Sequence, residues 1–120
     1  MSKKILTLIL ALAGIWLATT RAAHSADMKA AADNYKDACA GCHGAAGHGD
    51  GKDAATLKTK PGDFAGCSRM AKFSDDQLFK IIKGGGQAGG ESADMPGFSA
   101  GYGDDEIHDL VAYLRQFCKK

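Results

Sequence analysis

Cys39, Cys42 and His43 stand in the run Cys39-Ala40-Gly41-Cys42-His43, and residues of these types at this spacing carry a specific chemistry. Two thiols so placed can reach the two vinyl groups on one edge of a porphyrin. The residue that follows can then turn an imidazole onto the iron. Such a C-x-x-C-H run reads as covalent c-type haem attachment, whereas C-x-x-C without the His reads as a redox or zinc element. Thioether bonds are therefore assigned to Cys39 and Cys42, and the proximal iron bond to His43. A thioredoxin-like dithiol and half of a zinc site are the competing readings of the pentapeptide.

An iron bound by one His still needs a sixth ligand. Met95 lies 52 residues after His43, far enough for the chain to cross to the opposite haem face. It sits in Met95-Pro96-Gly97-Phe98, within a glycine-rich loop, where Pro96 stiffens the backbone that holds the sulfur. A thioether is soft, and His/Met ligation raises the potential of a low-spin electron-transfer iron. Met70 competes, but it stands only 27 residues from His43 and directly before a helix; Met28 precedes the motif and reads as helix packing. His48 follows His43 too closely to serve the far face and reads as a surface-loop His. His108 falls off the apolar stripe of its helix and is a weak alternative ligand. His43 and Met95 are the expected axial pair.

Three helices are expected to position these groups. Over 27–39, Met28, Ala31, Tyr35 and Ala38 recur at helical spacing, and the alanines favour a helix whose end delivers Cys39. Residues 73–83 are the best-marked helix, with Ser74 as N-cap, Gln77 completing a capping box, and Phe73 and Leu78 placed as a hydrophobic staple. Gly84 is expected to close it, and Leu78, Phe79, Ile81 and Ile82 to line the haem pocket. Over 104–118, Ile107, Leu110, Val111, Leu114 and Phe117 form one stripe that should cross the first helix near Tyr35. Acidic Asp104, Asp105 and Glu106 crowd its start, and Arg115, Lys119 and Lys120 gather at its end, as the helix dipole favours. Between helices, residues 44–66 and 84–103 are glycine-rich and read as loops wrapping the cofactor. Gly47-His48-Gly49-Asp50-Gly51-Lys52 matches neither the Walker pattern nor a strand-to-helix context.

The first residues read as a secretory signal. Lys3 and Lys4 form a basic n-region, and residues 5–18 an apolar run broken only by Thr7 and Gly14. That run is about 14 residues, short of the roughly 20 needed to span a bilayer, so cleavage is expected rather than anchoring. The cut falls among residues 22–26, with 1–25 as signal and 26–120 as a single domain. About 95 residues then remain, enough for one small core that a large flat cofactor would complete. Lys3, Lys4 and Arg21 leave with the signal, so 12 of the 15 basic residues face all 14 acids and the net charge is near −2. That balance argues against a nucleic-acid binder. Export points to a bacterial periplasm, the side of the membrane on which haem is attached.

Two cysteines, Cys67 and Cys118, are left after haem attachment. In an oxidising compartment a leftover pair is most simply a disulfide, here tying the middle loop to the end of the last helix. Free thiols, or an intermolecular bridge from Cys118, are the competing readings.

With these motifs in order, the chain resembles class I cytochromes c, and more narrowly the small bacterial type also found fused to subunits of respiratory oxidases. The resemblance rests on residues 39–43, on Gly49-Asp50-Gly51-Lys52, on Pro61-Gly62-Asp63-Phe64, on residues 73–86, on Met95-Pro96-Gly97-Phe98 and on residues 105–117. It implies an all-α cytochrome c fold of three to four helices around one covalent haem c, with His43 and Met95 axial and one haem edge exposed. It also implies that a loop carbonyl, preceding or contributed by a proline, orients the His43 ring, and Pro61 is the proline of that loop. Many relatives cap the last helix with Ser or Thr, where this chain has Gly103. Cys67 and Cys118 lie outside the common pattern.

The expected function is a periplasmic monohaem electron carrier that passes single electrons between redox partner proteins, without enzymatic activity of its own. It would be a monomer with no stable membrane insertion. The alternatives are an electron-entry subunit of a larger respiratory oxidoreductase complex, and a haem-based small-ligand sensor in which Met95 is displaced. A haem-free zinc or dithiol protein is the remaining one.

Overall fold

In the computed structural model, which describes residues 23–119, Asp27 opens the first helix. Its carboxylate accepts a hydrogen bond from Ala30 N at 3.0 Å, and helix α1 runs Met28–Ala38. A one-turn helix α2, Ala40–His43, follows directly, so the Cys39–His43 run sits on the junction of α1 and α2. Most of the expected signal segment lies outside the described residues.

A short helix α3, Cys67–Met70, ends the first long loop. Helix α4, Asp75–Gly84, then starts on the expected capping box: Gln77 N reaches the Ser74 hydroxyl at 3.2 Å and Ser74 N reaches Gln77 Oε1 at 2.8 Å. The expected end of this helix is corrected by one residue. Gly84 remains helical and Gly85 terminates the helix at φ +89, a conformation that glycine adopts without steric cost. Helix α5, Asp104–Gln116, has no side-chain cap at Gly103, although Glu106 Oε2 accepts from Gly103 N at 2.9 Å. Single 3-10 turns at Ala54–Thr56 and Gly86–Gly89 complete the regular structure, and no strand occurs among the described residues.

The core forms where α1 crosses α5. Ile107, Leu110, Val111 and Leu114 of α5 are buried with Tyr35 of α1, Met70 of α3 and Leu78 and Ile82 of α4. The Tyr35 ring meets those of Tyr113 and Phe117 at 5.4 and 5.0 Å, the crossing predicted from the stripe. Arg115 fastens the third side of this arrangement. Its guanidinium donates to Met70 O at 2.7 Å and to Asp75 Oδ1 at 2.9 Å, so α5 holds both α3 and the first turn of α4. Cys67 and Cys118 meet at the same corner, with Cα atoms 5.1 Å apart and their sulfurs adjoining. No helix among the described residues is long and apolar enough to cross a membrane.

Candidate functional site

One apolar pocket opens between the three long helices and the two glycine-rich loops. Cys39, Cys42 and His43 line it from the α1–α2 junction, and Met95, Pro96 and Phe98 from the second loop. Leu78, Ile81 and Ile82 of α4 and Leu110 and Leu114 of α5 form its walls. Phe79, expected among them, does not reach it. Positions 78, 81 and 82 share one helix face, whereas 79 is turned about 100° away, where its ring stacks on His108 with centroids 4.3 Å apart. His108 is thereby engaged on the outer surface. His48 is also exposed, with Nδ1 3.4 Å from Asp63 Oδ1. Met70 lines the pocket as Met95 does, but it is 2 % exposed and belongs to the core cluster.

His43 is held for coordination by one nitrogen. Its Nδ1 lies 3.0 Å from the carbonyl oxygen of Gly62, so the proton resides there and the Nε2 lone pair is free. The orienting carbonyl thus belongs to the residue after Pro61. Burial holds the imidazole below its ordinary pKa against the opposing Gly62 hydrogen bond, with the Arg69 charge lowering it further. A neutral imidazole is the form a metal requires. Phe64 stacks on the ring, with centroids 4.4 Å apart and planes 21° from parallel. This support carried no motif signal beyond its place in Pro61-Gly62-Asp63-Phe64.

Tyr35 braces the same corner from inside the core. Its hydroxyl donates to Gly44 O at 2.7 Å, directly after His43, and burial raises its pKa above the ordinary tyrosine range. Gly44 adopts φ +81, and a Cβ there would collide with Asp50 Oδ1. The turn after His43 is therefore closed to side chains on both counts.

The two motif thiols are half-buried and unbonded to one another. Burial pushes Cys39 up to about 11, with Cys42 adding to the rise. A redox dithiol works through a thiolate of lowered pKa, so this environment is the reverse of what thioredoxin-type chemistry needs. A zinc site fares no better: among the described residues no three His, Cys, Asp or Glu side chains converge. What the pocket does supply is a thiol pair on one rim, a neutral imidazole with its outer nitrogen free, apolar walls and thioethers deeper in. That donor set fits a covalently attached haem.

The sequence profile of the cytochrome c family matches residues 28–117. The chain belongs to the cytochrome c family. Among solved structures it is similar to the KustC0563 c-type cytochrome, with a TM-score of 0.59 and 25% sequence identity over 72% of this chain and 95% of that one. No curated protein matches it. As a cytochrome c it carries one covalently bound haem c and transfers electrons through it. The all-α architecture is the family's own.

Proposed function

We propose that this cytochrome c is a periplasmic carrier of the class I kind, with His43 and Met95 as axial iron ligands and a disulfide between Cys67 and Cys118. The haem supplies a one-electron couple between ferric and ferrous iron. The rest falls to the chain's own residues. Cys39 and Cys42 fix one edge of the group, the Gly62 carbonyl and Phe64 keep the His43 ring in one orientation, and the aliphatic walls exclude water. A site whose ligands do not move on reduction needs little reorganisation, which suits electron exchange with redox partner proteins.

The observation that carries this reading is that His43 and Met95 line one pocket from two segments 52 residues apart, one beside the attachment thiols and one across from α2. Met95 is fixed there by backbone. Its carbonyl accepts from Gly86 N at 3.0 Å, and Phe98 N donates to Ile82 O at 3.0 Å, which ties both flanks of Pro96 to α4 and its end.

Absorption spectra of holoprotein made in a haem-attaching periplasm test it, taken oxidised, reduced, and reduced under carbon monoxide. Wild type should be low-spin with a sulfur-to-iron band when oxidised, and should not respond to carbon monoxide. Met95→Ala should lose the sulfur band, bind carbon monoxide and have a lower potential. An unchanged spectrum in Met95→Ala would move the assignment to Met70. Stable co-purification with a large partner would give the same chemistry to a complex subunit.

A further inference from the structure

The pocket mouth has two lips, and one carboxylate joins them. Leu57, Thr59 and Lys60 line the pocket from the first loop; Asp94 and Met95 line it from the second. Asp94 Oδ2 accepts the backbone N–H of Lys58 at 3.1 Å and of Thr59 at 3.2 Å, contacts 36 and 35 residues apart in sequence. Among the described residues no other hydrogen bond connects residues 57–60 with residues 91–98. A second crossing, Arg69 Nη2 to Glu91 Oε2 at 3.5 Å, is a long and solvent-exposed ion pair, of a kind that holds little. Asp94 is itself set in place, because its N–H donates to the Ser92 hydroxyl at 3.1 Å.

We propose that Asp94 is a positioning residue that latches the 57–60 lip against the Met95 lip and thereby closes the sixth coordination side to outside ligands. This rests on the reading of Met95 as the iron ligand. The Met95 backbone is anchored on its inner side by Gly86, so α4 fixes where that lip stands. Nothing comparable fixes the opposite lip. Residues 57–60 follow a single 3-10 turn, and their side chains at 58, 59 and 60 are exposed. Two charge-assisted hydrogen bonds to one oxygen are the strongest contacts available to that segment. When they hold, Leu57 and Thr59 cover the approach to Met95; when they are lost, the lip is free to swing out while the helices stay packed.

The test compares wild-type holoprotein with Asp94→Ala, Asp94→Asn and Met95→Ala, using carbon monoxide on the ferrous form and amide hydrogen exchange. Both native bonds converge on one oxygen, so the Asn amide oxygen keeps their geometry without the charge, and in Asp94→Asn the Lys58 and Thr59 amides should exchange at rates between those of wild type and Asp94→Ala. Asp94→Ala should bind carbon monoxide where wild type does not, with the Lys58 and Thr59 amides exchanging at least tenfold faster and the amides of α4 and α5 unchanged. Asp94→Ala that stays inert to carbon monoxide beside a Met95→Ala that binds it would overturn the latch alone. Met95→Ala that is also inert would overturn the ligand reading and the latch with it. If Asp94→Ala yields no folded holoprotein, exchange in wild type decides: protected Lys58 and Thr59 amides support the latch, and exchange at free-loop rates refutes it.

Discussion

The Nδ1 atom of His43 and the carbonyl oxygen of Gly62 are 3.0 Å apart, and this one bond fixes the tautomer of the imidazole. A hydrogen bond alone leaves the ring free to rock about the N–O line. Phe64, two residues after Gly62, removes that freedom by lying against the ring face at 4.4 Å. The same side chain meets Tyr35 edge-on at 6.4 Å and Phe117 at 6.3 Å, so the ring support is continuous with the α1–α5 core.

Phe64→Ala should therefore affect stability and potential together. Truncating a partly buried Phe at such a junction costs about 3 kcal/mol, at the low end for aromatic deletions because the site is half-exposed. Chemical denaturation of the holoprotein reads the first effect and a redox titration the second. Phe64→Leu should recover most of the stability but not the potential, because an aliphatic side chain fills the space without stacking. Equal recovery of both would make Phe64 a packing residue only.

Gly85 is the joint between α4 and the Met95 segment. It stands at φ +89, and a Cβ there would lie 2.9 Å from Met95 O and 3.0 Å from Gly97 N. A non-glycine residue held in such a conformation costs on the order of 1–3 kcal/mol, and here the strain would be relieved by pushing the Met95 backbone outward. Gly85→Ala should lower the denaturation midpoint and weaken the sulfur-to-iron band in the oxidised spectrum. Gly84→Ala is the control: the position is helical and a Cβ there would meet Ala88 Cβ at 2.8 Å rather than the Met95 backbone, so it should cost some stability but leave that band intact.

Much of this arrangement was legible from the residues themselves. The Ser74–Gln77 box, the stripe from Ile107 to Leu114 and its crossing at Tyr35 are local or periodic signals, and the structure reproduces each. The helix end at Gly84 was missed by one residue because two adjacent glycines are equivalent in sequence, and only the Met95 loop decides which must take positive φ. Phe79 was placed in the pocket because it is apolar, although its angular position turns it to His108. Contacts between a side chain and a distant backbone left no spacing pattern, and a loop carbonyl on His43 was expected only from the family resemblance. Gly62 O to His43, Gly44 O to Tyr35 and the Lys58 and Thr59 amides to Asp94 depend on how loops fold back, which no spacing rule encodes.

His24 and Asp109 form an ion pair that periodicity did not foresee. His24 Nε2 lies 2.6 Å from Asp109 Oδ1, and Asp27 N donates to Asp109 Oδ2 at 3.2 Å, so a carboxylate only 6 % exposed on α5 gathers the start of α1. The hydrogen bond to Asp109 raises the His24 pKa above its ordinary 6.5. A raised folded pKa contributes stability that is fully present below about 6.5 and is lost as pH rises through the folded value. In protein that retains His24, the gap in urea midpoint between wild type and His24→Gln should be largest in mild acid and shrink above neutrality. A gap independent of pH would show that the ring acts by packing rather than by charge.

The proposed disulfide between Cys67 and Cys118, whose Cα atoms are 5.1 Å apart, would join α3 to the end of α5 across a sequence separation of 51. In the chain-entropy picture, closing a loop of that length restricts the unfolded chain by about 4 kcal/mol. The two sites flank the Arg115 contacts to Met70 and Asp75, so native packing already draws them together. Replacing both by Ser should therefore lower the unfolding free energy while leaving the visible spectrum of the holoprotein unchanged. Mass spectrometry after alkylation without reductant gives the prior check: exported protein should take up no label at either position until it is reduced. Labelling at both positions in native exported protein would show that the thiols are free and that Arg115 alone holds this corner.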